Sequence, residues 1–300
     1  MKKKTYLFAL MAMVLTLGSC SDNENGIGGE TSKYITVSTS IGNMTRVATD
    51  ANGGQTFEEG DEISVYAWTG DATVAPETRE RVVNNAINKL TNGSWVSTPQ
   101  MLWKNNRDKH YFIGVYPTAA ISDLSAGEYT FDANKQTESD LLVAVNPDGL
   151  SYSADAQQTV PLTFTHVMAK LAVNLTYKNQ WGGIPTVEKV VVGNAAKEAT
   201  INYLTKVVTP STTAKEDFSL PEITENTKYV SVIIPQEEVK QLTIVIGGKN
   251  FVYDNGTPFK LESGKITTVN LEVGRDEIKL GDVKITDWED GSTFSGEAIN

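Results

Sequence analysis

Short runs of alternating apolar and polar residues, each cut off by glycine, proline or asparagine, recur along almost the whole chain. The clearest is Lys265-Ile266-Thr267-Thr268-Val269-Asn270-Leu271-Glu272-Val273. A period of two places Ile266 on one side with Thr268 and Asn270, and Thr267, Val269, Leu271 and Val273 on the other, as a half-buried strand requires. Residues 34–41, 63–68, 111–116, 187–192, 228–234, 242–246, 251–253 and 278–285 carry similar signals, with Gly247-Gly248 and Asn255-Gly256 among the breaks between them. Residues 141–145, Leu-Leu-Val-Ala-Val, are apolar throughout, which predicts a strand covered on both faces. Many short strands at close spacing argue for β-sandwiches and against a βαβ sheet.

Two stretches test this reading. Val82, Val83, Ala86, Ile87 and Leu90 also fit a short helix, but Asn92-Gly93 is a strong two-residue hairpin signal, so a hairpin is expected. Residues 161–176 form the longest strand signal, with a domain boundary expected within it or just after it, near 177–185. The predicted architecture is all-β: an N-terminal β-sandwich over 34–178 and a C-terminal one over 179–300.

The N-terminus reads as an address. Lys2, Lys3 and Lys4 precede an apolar stretch at 6–17 that is too short for a stable membrane span. Leu17-Gly18-Ser19-Cys20 resembles the lipobox of bacterial lipoproteins, with cleavage after residue 19 and lipid on Cys20. Each buried methylene is worth about 0.8 kcal/mol, so several acyl chains hold a protein essentially permanently. Residues 20–33 read as a flexible acidic tether. An acidic run behind such a cysteine resembles the surface-export signal of lipoproteins in Gram-negative anaerobes. The expected location is the cell surface, on the outer membrane.

Composition narrows the function. Cys20 is the sole cysteine, which excludes an intrachain disulfide and a cysteine-based zinc site. The formal charge is −11. Removing residues 1–19 takes three lysines and no acidic residue, leaving −14 over 281 residues. Such a chain repels nucleic acid, and no basic stripe offsets this.

The sequence is poor in catalytic signals. His110 opens a strand and His166 lies in an apolar one, as expected of hydrogen-bonded core histidines. Neither H-E-x-x-H, nor G-x-S-x-G, nor a P-loop is present. Acidic residues are plentiful, and no glycosidase-like pair stands out. Residues 287–291 lack EF-hand spacing and read as a turn. The five tryptophans are expected in cores. No enzyme activity, metal or cofactor is predicted.

Several motifs resemble those of the fimbrillin family, the subunits of type V pili in Gram-negative anaerobes. They are Thr45-Arg46, Phe57-Glu58-Glu59-Gly60-Asp61-Glu62-Ile63-Ser64-Val65-Tyr66-Ala67 and Phe164-Thr165-His166-Val167-Met168-Ala169-Lys170-Leu171. Leu261-Glu262-Ser263-Gly264-Lys265-Ile266 and Ile285-Thr286-Asp287-Trp288 continue the series in order. The resemblance implies two transthyretin-like sandwiches and surface delivery as a lipoprotein. It also implies removal of an N-terminal strand by an arginine-specific protease, and replacement of that strand by one from another fimbrial subunit. Mapped here, Cys20 is the lipid site and Arg46 the residue before the cut. The removable strand is 34–41, whose Tyr34, Ile35, Val37 and Ile41 fill a groove. The donor is the C-terminal segment, 278–300, with Ile278, Leu280, Val283, Ile285, Phe294 and Ile299 as its apolar residues. The alternative is a monomeric surface lipoprotein that binds glycan or a host ligand, or an uncleaved anchor subunit.

Overall fold

The computed structural model describes residues 33–42, 56–153 and 158–288. The first half contains β1 (Thr36–Ile41), β2 (Glu62–Thr69), β3 (Val83–Thr91), β4 (Ser94–Thr98), β5 (His110–Tyr116), β6 (Gly127–Thr130), β7 (Leu142–Leu150) and β8 (Thr159–His166). After it come β9 (Ala169–Tyr177), β10 (Lys189–Ala196), β11 (Glu198–Asn202), β12 (Val207–Pro210), β13 (Lys215–Leu220) and β14 (Glu222–Thr224). The chain then continues through β15 (Lys228–Ile233), β16 (Gln236–Ile246), β17 (Lys249–Leu261), β18 (Lys265–Val273) and β19 (Ile278–Asp287). One 3-10 turn, Thr78–Glu80, interrupts the strands. The all-β expectation holds.

A seven-stranded sheet runs β1-β8-β7-β5-β2-β3-β4. It curls until its ends meet, because β1 also lies against β4. Side-chain parity divides its two faces. Ile63, Val65, Ala67, Phe112, Leu142, Ala144, Val160, Leu162 and Phe164 point inward and form one closed core. Tyr66, Trp68, Ile113, Val115 and Val143 point outward into a second, larger core that continues into the rest of the molecule. The uninterrupted apolar run of 141–145 follows from this position: β7 is buried between β5 and β8 and feeds both cores.

Gly114 lets the first core close. A Cβ there would sit 2.6 Å from Phe164 Cζ and 3.1 Å from Leu162 Cδ1, so the missing side chain is the space that Phe164 occupies. The Asn92-Gly93 hairpin is present, joining β3 to β4 with φ of 52° and 72° at its two central residues. Both values are positive, as a two-residue hairpin turn of this kind demands.

The second half packs a four-stranded sheet, β13-β10-β16-β17, with a five-stranded sheet, β14-β15-β9-β18-β19. A small sheet, β12-β11-β6, ties the halves together, because β6 comes from the first half and β11 from the second.

Three sequence expectations need correction. The long strand signal at 161–176 is two strands in different sheets, β8 and β9, separated at Val167-Met168. Residues 169–177, expected at the end of the first sandwich, pair with β15 and β18. Both sides of the break stay apolar and alternating because each strand is buried, so no turn residue marks the sheet change. Asn255-Gly256, read as a break, falls inside β17, which absorbs it through irregular pairing with β16. Strands β6, β11, β12, β13 and β14 had no clear signal, being short and mostly half-exposed.

Candidate functional site: the N-terminal strand and its slot

Strand β1 runs parallel to β8, in register from Thr36 opposite Thr159 to Ile41 opposite Phe164. It is the one parallel member of its sheet among the described residues. Beyond Ile41 the ladder is extended by the Gly42 N–H, which donates to the Phe164 carbonyl at 2.7 Å. On the other side the residues just before β1 meet residues 101–103, which no strand signal had marked. The Ile35 N–H donates to the Met101 carbonyl at 2.9 Å, and the Trp103 N–H donates to the Lys33 carbonyl at 3.3 Å. Tyr34 and Leu102 form an isolated antiparallel bridge between these bonds. β1 is thus laddered to β8 and lies against β4, while the residues just before it bond to 101–103, and withdrawing 33–41 would leave the β8 edge, the Met101 carbonyl and the Trp103 N–H facing a slot.

Side chains on β1, and on Tyr34 and Ile35 just before it, separate by parity. Ile35, Val37 and Ile41 are 2%, 6% and 9% exposed and complete the inner core. Tyr34, grouped with them by sequence, is 38% exposed. Its even position turns it to the other face, because successive strand residues point to opposite sides. Small hydroxyls fasten the outer face: Thr36 Oγ1 lies 3.2 Å from Thr159 Oγ1, and Ser40 Oγ donates to Thr163 Oγ1 at 3.2 Å. Thr39 Oγ1 accepts a 3.0 Å bond from Trp95 Nε1 on β4, and this bond joins the two ends of the curled sheet.

Rings close the slot. Phe57, just before β2, meets Trp95, Tyr116 and Phe164 edge-on, with centroids 5.3, 5.4 and 5.1 Å away. At the other end Trp103 packs edge-on against His110 at 5.0 Å and Phe112 at 5.8 Å. His110 is fully buried. Its Nε2 accepts the Lys104 N–H at 3.0 Å, which leaves Nδ1 as the proton carrier facing the Asp108 carbonyl at 3.1 Å. Burial pushes its pKa below the ordinary histidine value, with the Asp108 carbonyl opposing the shift. His110 therefore orders the segment that pairs with Lys33 and Ile35. Burial also pushes the Tyr116 hydroxyl up, and the Asp61 carboxylate beside it adds to the shift.

Burying a large aliphatic side chain contributes roughly 1.5–3 kcal/mol, so Ile35, Val37 and Ile41 together contribute ~4.5–9 kcal/mol, as an upper figure. Tyr34 does not belong in this sum.

The other residues singled out by sequence fall elsewhere. Ile278, Leu280, Val283 and Ile285 belong to β19, hydrogen-bonded to β18 of the same chain over its whole length. They were expected in a donor segment, and the described part of that segment is already a strand of its own sheet. Ile278 and Leu280 pack against the large core, while Val283 and Ile285 remain 39% and 38% exposed. Cys20, Arg46, Phe294 and Ile299 lie outside the described residues. His166 is held in the core by its Nδ1 contact of 2.8 Å with Asp140 and by a ring stack on Trp288.

A surface cleft of about 760 Å³ lies beside the slot, lined among others by Trp68, Val74, Arg79, Leu102, Trp103 and Lys104. It offers little aromatic surface to a ligand. Trp68 is 2% exposed with Nε1 bonded to the Asp71 carbonyl, and Trp103 turns its ring onto Phe112.

Comparison with known proteins adds an independent line. The model of a family described as fimbrillin-like matches residues 45–288. A Bacteroides uniformis protein assigned as fimbrium subunit Fim1C is 24% identical over 315 aligned residues, covering 97% of each chain. Crystal structures of two proteins assigned to cell adhesion have the same fold at 18% identity. The one from Bacteroides ovatus covers 85% of this chain and 98% of its own with a TM-score of 0.64. The one from Bacteroides uniformis covers 86% and 100% with a TM-score of 0.60.

Proposed function

The chain belongs to the fimbrillin-like family, and on that basis we propose that it is a structural subunit of surface fimbriae whose copies couple through the β1 slot. Its part in the fibre is mechanical and not catalytic. The observation that carries the proposal is the seat of residues 33–41: β1 is laddered along β8, the residues just before it bond to 101–103, and Ile35, Val37 and Ile41 complete an otherwise closed core.

In this account residues 1–19 are a signal peptide, Cys20 carries lipid, and the subunit reaches the outer surface in two tandem transthyretin-like sandwiches. An arginine-specific protease cuts after Arg46. The cut severs β1 from the body and the body from its anchor in one step. The stabilisation lost, ~4.5–9 kcal/mol from apolar burial, is comparable to a domain's whole stability of about 5–15 kcal/mol. An empty slot lined by Val160, Leu162, Phe164 and Met101, with unpaired backbone along β8 and 101–103, is a strong acceptor for another strand. The C-terminal segment of another subunit supplies it, and assembly restores what proteolysis removed.

Digestion of the surface-delivered protein with an arginine-specific protease tests this. The account expects a new first residue at Val47 and a ladder of high-mass species, both absent in Arg46→Ala. A protein that stays monomeric after cleavage, or an Arg46→Ala variant that assembles equally well, would overturn it.

A further inference from the structure

The last described residue is also one of the most firmly held. Trp288 is 2% exposed, although it follows a strand that is half-exposed or exposed along its whole length. Its ring stacks on His166 with centroids 4.0 Å apart and planes 8° from parallel. The Lys170 ammonium sits 4.0 Å from the centre of the same ring. His166 is fixed from behind by Asp140, Oδ1 to Nδ1 2.8 Å. The Trp288 N–H donates to the Gly264 carbonyl at 3.1 Å, at the turn that opens β18. His166 ends β8 and Lys170 lies in β9, so the indole is clamped at the point where the chain passes from one sheet to another.

Strand β19 is otherwise held by its ladder to β18, by contact with β17 and by Ile278 and Leu280 at its start, which pack against the large core, while its second half, from Gly281 to Asp287, is exposed. It is the edge strand of its sheet, and a register shift between Asn270 and Leu271 interrupts the ladder. An edge strand with an irregular ladder and exposed side chains is the kind of element that opens locally.

We propose that Trp288 is a pin that retains β19 in its own subunit, so that any segment passed to another subunit begins beyond residue 288. The second clause rests on the strand-exchange reading above; the first stands without it. The pin fixes the register of exchange. Ile278, Leu280, Val283 and Ile285 stay with β18, and the partner receives only chain that follows the indole. It also keeps the sheet edge filled while the subunit is under load.

Hydrogen exchange on the intact monomer tests the pin. Trp288→Ala is expected to lower protection of the 278–287 amides by roughly a hundredfold or more, with the amides of β2 and β5 unchanged, because removing a large buried ring weakens the element it anchors. Trp288→Phe keeps a ring in the clamp and should retain most of that protection. Unchanged 278–287 protection in Trp288→Ala would overturn the pin.

A cross-strand disulfide tests the exchange boundary. Thr268 and Lys284 face each other in the β18–β19 register, and Thr268→Cys with Lys284→Cys locks β19 in place. The locked full chain should form the same protease-triggered ladder as the parent. Assembly that is lost in the oxidised form and returns on reduction would mean that β19 itself is donated, which overturns the boundary while leaving strand exchange intact. A parent chain that never assembles sinks the exchange reading and leaves the pin to be judged on the monomer.

Discussion

Strands β1 and β19 begin and end the described chain, and they are held in opposite ways. β1 runs parallel to β8 and lies against β4, the residues just before it bond to 101–103, and Ile35, Val37 and Ile41 are nearly sealed from solvent. β19 is laddered antiparallel to β18, lies against β17, and leaves Val283 and Ile285 more than a third exposed. Removing β1 would open the inner core; removing β19 would move a sheet edge inward by one strand and uncover the part of the large core that Ile278 and Leu280 cover. The length of a terminal strand therefore says little about its structural weight. β19 is longer than β1, yet β1 with Ile35 supplies three buried residues to a core, and β19 supplies only the half-buried Ile278 and Leu280.

Charge placed on the two strands should separate them most strongly. Val37→Asp buries a carboxylate among Leu162, Phe164 and their neighbours, and is expected to cost roughly 3 kcal/mol or more in urea unfolding. Val283→Asp, near the surface, should cost under about 1 kcal/mol. Similar losses at the two sites would break the comparison.

Small additions sharpen it. Gly114→Ala pushes a methyl group to 2.6 Å from Phe164 Cζ and should destabilise by roughly 1–3 kcal/mol. At Gly281, beside the irregular part of β19, the added Cβ meets its nearest neighbour, the Asn270 carbonyl oxygen, only at 3.2 Å, and the cost should be smaller. Thermal melts of the two variants check the order.

A single hydrogen bond gives the next effect. Trp95→Phe keeps a ring against Phe57 and removes the bond to Thr39, so the end-to-end closure should weaken by about 0.5–1.5 kcal/mol. Hydrogen exchange at β1 amides should rise, while β19 amides stay unchanged.

Acid gives the mildest contrast. The folded His110 pKa lies below its unfolded value of about 6.5. Below that value the unfolded chain binds more protons than the folded one at this site, so stability is full above it and falls as the pH drops through it. His110 orders the segment that pairs with β1, so protection of β1 should decline between pH 7 and 5. His110→Gln should flatten that slope without altering β19.

Much of this was legible locally. The alternation in 34–41 placed Ile35, Val37 and Ile41 on one face, Asn92-Gly93 marked its hairpin, and Lys265–Val273 is β18 residue for residue. What escaped was non-local. Nothing near Met101 announces that its carbonyl will bond Ile35, because that pairing is set by the closure of seven strands and not by the properties of 101–103. The passage from β8 to β9 was hidden for a related reason: two buried strands in succession leave an unbroken apolar pattern, and sheet membership is not written in periodicity. Trp288 was expected in a core, but the clamp around it depends on two residues more than a hundred positions earlier.

Hydrogen exchange at the β8 amides that face β1 and at the Trp103 amide reports on the slot itself. The account predicts that they are protected in the intact subunit, exposed once the chain is cut after Arg46 and β1 is lost, and protected again in the assembled fibre. Amides that stay protected after β1 has gone, or remain exposed within the fibre, would show that subunits couple somewhere else.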